Sequence, residues 1–385
     1  MKKITFLFLL CAFFLSCAST PKNNDAGNKD EITLLFAGDV MAHSPNYNMK
    51  DYEIIWDGIR DIVSSADLAF ANIEAPVDTT KDPQNYPYFN MPLSYVQSTI
   101  NAGFDVFSLC NNHTNDQGLE GIKETTKSFK KLFESEKDKG NTIYYSGLKE
   151  KETDEYSYNI IQSGKWKILF LPMTEILNRP LASKYINSII PDTGKRVEFI
   201  NYCKKLREKN ECDLFILSWH ANETEYIRTV TDTQEEFYKN LLDAGVDIIW
   251  ANHAHIIKDR KIILNSSTNA VKIIMYANGN TISAQRTKPN LSSKNPVDER
   301  DNTGDGLLYK VILAKDKKNS TVTIIKAEPV FITTYITPQK DYLIKIMNEE
   351  FIEELLSKDQ IKWADYIRRR IKINKKYTKD IIEWQ

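Results

Sequence analysis

Histidine is scarce in this chain, and the residues that would assign it to a simple class are scarce too. Only five histidines and five cysteines occur among its 385 residues. Cys11 and Cys17 sit at the N-terminus, which leaves Cys110, Cys203 and Cys212. An odd number argues against a disulfide framework. Cys110 ends an apolar run and reads as a buried thiol, while Cys203 and Cys212 remain free to pair or not. Glycine (14) and proline (13) are thinly spread, which excludes collagen-like and low-complexity chains. Charge of one sign is missing as well: 51 basic residues face 52 acidic ones, net −1. That balance makes no electrostatic case for nucleic acid. An anionic ligand would have to be held by local charge, such as a metal. Past the first seventeen residues there is no apolar run of the roughly eighteen residues a membrane helix needs.

What is present begins with a targeting segment. Lys2 and Lys3 precede an apolar stretch, Ile4 to Leu15, and Ser16-Cys17 follow. A small residue and a cysteine at that point resemble a bacterial lipoprotein signal. The expected plan is a signal peptide over 1–16, Cys17 as the lipidated first residue, and a disordered polar tether over 17–30. An ordinary secretory signal cleaved nearby is the alternative. Either way the protein is exported, and with the lipid it is anchored in the cell envelope, facing outside the cytoplasm.

From residue 31 the pattern is α/β: buried strand, polar cluster, helix, then strand again. Apolar strand runs end at Gly38, Glu74, Cys110, Trp219 and Ala251, each followed or closed by polar residues. Residues 49–63 carry Ile54, Ile55, Ile59, Ile62 and Val63 at helical spacing and predict one helix. A hairpin is expected around Ser163-Gly164 and another turning at Lys317–Ser320. Residues 285–305 read as a polar loop. One domain over 31–340 is expected, then a helical extension over 341–385. The extension's basic run, Arg368, Arg369, Arg370, Lys372, Lys375 and Lys376, reads as a solvated helix face.

All five histidines fall in the polar clusters after strands. These are FAGDVMAH (Asp39, His43), NNHTND (Asn112, His113, Asp116), SWHANETEY (His220, Glu223, Glu225, Tyr226) and ANHAHII (His253, His255). Histidine and carboxylate from distant strand ends can assemble one metal site. In a hydrolytic centre of one or two metals, Asp39 would ligate the first ion, with Asn72 or Glu74 near the bridge. Asn112 would bind through its amide oxygen, with His220 and His253 at the second ion. His255 would return to the first. His253 and His255 alternate, so on a strand they would face one side. His113, held by Asp116, would be the acid. His43 would stand behind the ligands or face substrate.

The order GDVM, NIE, NNHTNDQG, a His-Glu-Tyr cluster, H-x-H and GN resembles the CapA-like proteins associated with poly-γ-glutamate capsule synthesis. That family resembles a branch of the calcineurin-like metallophosphoesterases. The resemblance runs from about Ile32 to Ser283. It implies a four-layer αββα sandwich of two mixed sheets, metallophosphoesterase-like, with metals at one edge. The implied ligands are Asp39, Glu74, Asn112, His220, His253 and His255, and the implied cofactor is one or two divalent ions, with Mn, Zn or Fe suited. His43, Asn72, Glu223, Glu225, Tyr226 and Asn280 are expected on the substrate side. The chain departs from the pattern at Met41, where the superfamily carries a histidine. It also has one extra residue between His220 and Tyr226, which leaves open whether Glu223 or Glu225 fills the family position. The implied activity is metal-assisted hydrolysis or transfer on an anionic cell-surface polymer of the poly-γ-glutamate class. Membrane synthase subunits are further expected partners, and nucleic acid is not. An envelope metallophosphoesterase and a non-catalytic polymer-anchoring subunit are the rival expectations.

Overall fold

A computed structural model describes residues 30–189, 193–316 and 321–385. The leader, Cys17, the tether up to residue 29 and the turn expected at Lys317–Ser320 lie outside the described residues.

In chain order the strands are β1 (Glu31–Val40), β2 (Leu68–Ile73), β3 (Val106–Ser108), β4 (Tyr144–Ser146), β5 (Asn159–Ser163), β6 (Trp166–Thr174), β7 (Leu214–His220) and β8 (Ile248–Asn252). They continue with β9 (Arg260–Leu264), β10 (Val271–Met275), β11 (Asn280–Ile282), β12 (Asp305–Lys315), β13 (Val322–Ile336), β14 (Tyr342–Ile346) and β15 (Asp380–Trp384). The helices are α1 (Ser44–Tyr47), α2 (Arg60–Ser64), α3 (Leu93–Asn101), α4 (Gly118–Asp138), α5 (Thr193–Lys209), α6 (Asp232–Asp243), α7 (Glu299–Asn302), α8 (Glu349–Ser357) and α9 (Ile361–Tyr377).

Among the described residues the strands form two mixed sheets. An eight-stranded sheet runs β14-β13-β12-β1-β2-β3-β4, with β11 added beside β1. A seven-stranded sheet runs β15-β9-β10-β8-β7-β6-β5. Strand alternation builds the layers. Leu34 and Phe36 of β1, Ile168 and Phe170 of β6, and Leu214 and Ile216 of β7 point into the core between the sheets. Their neighbours point the other way. Leu35 and Ala37 pack under α2, α3 and α4, while Leu169, Phe215 and Leu217 pack under α5 and α6. The result is the four-layer αββα sandwich. Phe36 stacks on Phe70 at 4.7 Å, and the Trp250 indole of the second sheet donates to the Ala37 carbonyl of the first at 2.7 Å. Each such fully buried side chain contributes roughly 1.5–3 kcal/mol, and together they hold the two sheets in register.

Three expectations need correction. Residues 49–63 are not one helix: a single 3-10 turn, Glu53–Ile55, precedes the short α2. Ile55, Ile59 and Val63 are buried as expected. At Gly58, however, a Cβ would come within 2.3 Å of the Ile344 carbonyl, so the chain bends to admit β14. The segment after residue 340 holds the helices α8 and α9, but strands bracket them: β14 pairs with β13 and β15 with β9. The basic run is not uniformly solvated. Arg370 is buried, 2.7 Å from Asp305. That pair ties α9 to the start of β12, where Asp305 also meets the buried Arg286 at 3.2 Å. Cys110, Cys203 and Cys212 are free thiols.

Candidate metal centre

Parallel pairing carries the polar clusters to one place. β1, β2 and β3 run parallel, as do β6, β7 and β8, so their C-terminal ends lie along a common edge. The join is at Gly38, where a Cβ would lie 1.8 Å from the Gly279 carbonyl. Only glycine admits that approach. It lets the Asp39 amide donate to Gly279 at 3.0 Å and sets Asp39 between Asn72 and Asn280 in the sheet.

Around Asp39 the structure brings Glu74, Asn112, His220, His253 and His255 together, all buried. Their donor atoms form two groups, Asp39–Glu74–His255 and Glu74–His220–His253, each within 4.8 Å of one another. Glu74 belongs to both. Its Oε1 lies 3.8 Å from His220 Nε2 and 3.7 Å from His255 Nε2. Asp39 Oδ2 lies 3.3 Å from His255 Nδ1. His220 Nε2 lies 2.9 Å from Asn112 Oδ1 and 3.2 Å from His253 Nδ1. Donors about 2.1 Å from a shared ion stand about 3–3.5 Å apart, so modest closure would complete either site.

The histidine pair reaches this point by a route that strand alternation did not anticipate. β8 ends at Asn252, and His253 and His255 follow it with φ of +109° and +56°. Tyr226, whose amide donates to the intervening Ala254 carbonyl at 3.0 Å, has φ +66°. Left-handed backbone at three non-glycine residues costs about 1–3 kcal/mol each and clusters where a site is built.

The charges suit a cation. Both Glu74 oxygens are buried without a hydrogen-bond partner. Burial, then the nearby Asp39 and Glu225, raises the Glu74 carboxyl well above its ordinary value. His220 is lowered far below the usual histidine range by burial and by His253, His255 and His113. His253 falls to about 4, through burial and His255. Both are therefore neutral bases at ordinary pH, the form that ligates metals. Burial would lower His255 too, but its hydrogen bond to Asp39 and that carboxylate's charge raise it. An orphaned carboxylate between unprotonated imidazoles is what one or two divalent ions would satisfy.

Beside these donors lies an acid–base pair. His113 Nδ1 is 2.7 Å from Asp116 Oδ2, whose other contact is the Phe89 amide at 2.9 Å. Phe89 packs edge-on against the His113 ring at 4.7 Å. His43 stands on the other side of Phe89, at 5.0 Å. Burial and the charges of His255, His113 and Arg300 press it down to about 3.

Residues expected on the substrate side divide. Asn72 donates to Asp39 at 2.8 Å, and Asn280 offers Oδ1 to His255 at 3.0 Å while its amide nitrogen serves Gln285 and Thr303. Both are buried and hold the donors in place rather than face substrate. Glu223 is committed to the Lys258 ammonium at 2.5 Å and to Gln234. Glu225 instead acts through its charge on Glu74 and His255. Burial would raise its carboxyl, yet His255, the Tyr226 hydroxyl and His253 hold it below its ordinary value. Tyr226 covers His255 at 6.2 Å between ring centres. Of the two glutamates left open, Glu223 is spent on Lys258, while the charge of Glu225 acts on Glu74, His253 and His255.

Two contributors escaped the sequence reading. The Asn178 side-chain nitrogen lies 3.2 Å from His113 Nδ1, and its Oδ1 accepts from the Asn112 side-chain amide at 3.3 Å. Its backbone amide donates to the Asn112 carbonyl. Its position four residues beyond β6 was the available signal. Arg300, in the polar segment before β12, carried no local signal at all.

Residues 33–285 match the family described as bacterial capsule synthesis protein PGA_cap. The chain belongs to that family. The family is metallophosphoesterase-like, in keeping with the sandwich and the edge where the donors meet. Among curated relatives, "Capsule biosynthesis protein CapA" of Bacillus anthracis is 26% identical over 67% of this chain. The chain spans 62% of that relative's length. "PGA biosynthesis protein CapA" of Bacillus subtilis (strain 168) is 24% identical over 72% of this chain and 70% of the relative. Among solved structures, a hypothetical protein from Thermus thermophilus aligns with 78% of this chain and 98% of its own, at TM-score 0.43 and 16% identity. A likeness that weak decides nothing. Among the described residues no helix is long and apolar enough to cross a membrane.

Proposed function

We propose that this PGA_cap family member is an exported, lipid-anchored protein of the cell envelope that acts on an anionic surface polymer of the poly-γ-glutamate class during capsule biosynthesis. Its reaction is metal-assisted hydrolysis or transfer. The observation that carries this reading is Glu74, a buried carboxylate shared by two donor groups, with both oxygens unpartnered and an acid pair alongside.

Asp39, Glu74 and His255 would hold one divalent ion, and Glu74, His220, His253 and the Asn112 amide oxygen a second. When bound, such ions polarise the reacting group and acidify water. The remaining chemistry belongs to the chain. Asn72 and Asn280 fix Asp39 and His255. Asp116 orients His113 so that the ring nitrogen away from it can give a proton to the leaving group. Phe89 packs on the ring of the acid, His113, and Tyr226 on that of His255. The relatives' names support the polymer class, and the N-terminal residues around Cys17 support the lipid anchor. Membrane synthase subunits are the proposed partners.

The metallophosphoesterase-like fold also favours a phosphoester substrate, so the test sets the two bonds side by side. Metal-loaded protein is assayed on γ-glutamyl oligomers and on nitrophenyl phosphates, with His253→Ala as control. Cleavage or transfer of the oligomer, lost in the variant, supports the proposal. Turnover of phosphate esters alone would replace it with the phosphoesterase reading.

A further inference from the structure

A carboxylate-rich chain faces an obstacle at this centre, because Asp39, Glu74, Asp116 and Glu225 already crowd it. Bound metals would offset part of that charge but would leave the flanking units unguided. Two guanidiniums lie where guidance is needed. Elsewhere many arginines are spent on carboxylates: Arg196 on Glu175 at 2.5 Å, Arg207 on Asp247 at 3.2 Å, Arg260 on Asp380 at 2.7 Å. Arg179 and Arg300 have no side-chain carboxylate partner among the described residues.

Arg179 is fixed at the acid. It donates to the Asp116 carbonyl at 2.7 Å and lies over the Tyr88 ring at 5.2 Å. Tyr88 is 51% exposed, so the stack borders solvent. Arg300 stands by the His255 part of the donor set. Its guanidinium lies 5.2 Å from the centre of the Tyr226 ring and also hydrogen-bonds that residue's hydroxyl, and the ring in turn packs beside His255. Arg300 is exposed, and its charge is felt at His43. Stacking on an aromatic face holds a guanidinium's plane and leaves its N–H edge to fork onto a planar anion. A stacked surface arginine is common by itself. Two of them are tied to the reacting groups, one to His113 through Asp116 and the other to His255 through Tyr226.

We propose that Arg179 and Arg300 are two carboxylate subsites flanking the metal centre, so that the preferred substrate is a chain bearing a carboxylate on each side of the reacting bond. This rests on the polymer reading above and sharpens it: a monomer or a small phosphomonoester would engage one arginine at most.

The test is calorimetric binding to intact metal-loaded protein at one fixed salt concentration. Three probes are used: a γ-glutamyl hexamer, the same hexamer with its side carboxylates amidated, and free glutamate. The parent should prefer the acid hexamer over both others. Arg179→Gln and Arg300→Gln should each weaken the acid hexamer roughly five- to twentyfold, leaving the amidated probe and the metal content unchanged. Lysine at either position should restore only part of the affinity, because it cannot fork. Equal binding of acid and amidated hexamers by the parent, or glutamine variants that bind the acid hexamer as the parent does, would overturn the inference. So would a loss equal for both hexamers. Arginine-dependent binding without any bond broken would leave this inference standing and remove the proposed activity. Turnover with an unchanged KM in both glutamine variants would do the reverse.

Discussion

Replacing Glu74 by Gln should stabilise the metal-free protein and weaken the metal-loaded one. In the metal-free fold Glu74 is a buried carboxylate whose two oxygens have no hydrogen-bond partner, facing the charges of Asp39 and Glu225. An unsatisfied buried polar group costs about 1–3 kcal/mol, and more when charged. Gln removes the charge but keeps an unpaired amide, so the expected gain is about 1–2 kcal/mol. At roughly 1–3 °C per kcal/mol for a chain of this length, that is a rise in Tm of a few degrees in chelator. The sign with pH follows from the raised carboxyl. Folded Glu74 holds its proton more tightly than the unfolded chain does. Its contribution is therefore favourable at low pH and is lost as pH climbs from about 4.3, the ordinary glutamate value, toward the raised folded one. Gln does not ionise, so the variant's advantage should be small near pH 4 and widen toward pH 8. Added metal reverses the order. At a hundredfold excess over its Kd, an ion stabilises the parent by about 2.7 kcal/mol, most of which the variant forgoes. Calorimetric melts with chelator and with Mn²⁺ or Zn²⁺, at both ends of that pH range, read all of this. A variant less stable than the parent in chelator at pH 8, or an advantage that shrinks as pH rises, would refute the reasoning and make Glu74 a structural carboxylate.

Further expectations concern other parts of the molecule. His113→Ala and Asp116→Asn should each lower kcat roughly 10²–10⁴-fold while metal content by mass spectrometry stays at the parent level. Gly38→Ala should cost both stability and metal, measured by melting and metal content, because its Cβ would collide with the Gly279 carbonyl that positions Asp39. Asp305→Asn should destabilise by about 3–5 kcal/mol in denaturant titration, since it removes the carboxylate that the buried Arg286 and Arg370 share. Acyl-chain labelling should mark the parent and vanish in Cys17→Ala, and an unlabelled parent would remove the anchor from the proposal.

Local pattern carried the fold class and most of the candidate site. Continuous apolar strands alternating with amphipathic helices require a sheet covered on both faces, and parallel strands bring their C-terminal residues to one edge. Asp39, Asn112, His113, His220 and the His253/His255 pair were nameable from that rule alone, because each directly follows or closes a strand. What the chain's order could not express is where side chains go once backbones meet. Asn72 and Asn280 look like substrate-facing amides until the sheet register sets them on either side of Asp39. Glu223 and Glu225 are two residues apart and equivalent on paper, yet Lys258 captures one and the charge of the other acts on the donors. His253 and His255 converge through left-handed backbone, which no periodicity announces. Residues 49–63 have a helix's spacing, but the approach of β14 at Gly58 overrules it. Arg370 sits in a basic run and is nonetheless buried, because Asp305, sixty-five residues earlier, supplies its counter-charge. Arg179 and Arg300 gain meaning only from the tyrosines beneath them. Strand and helix follow from short-range hydrophobic spacing, whereas the partners of a charge are set by contacts between segments that only the folded chain brings together.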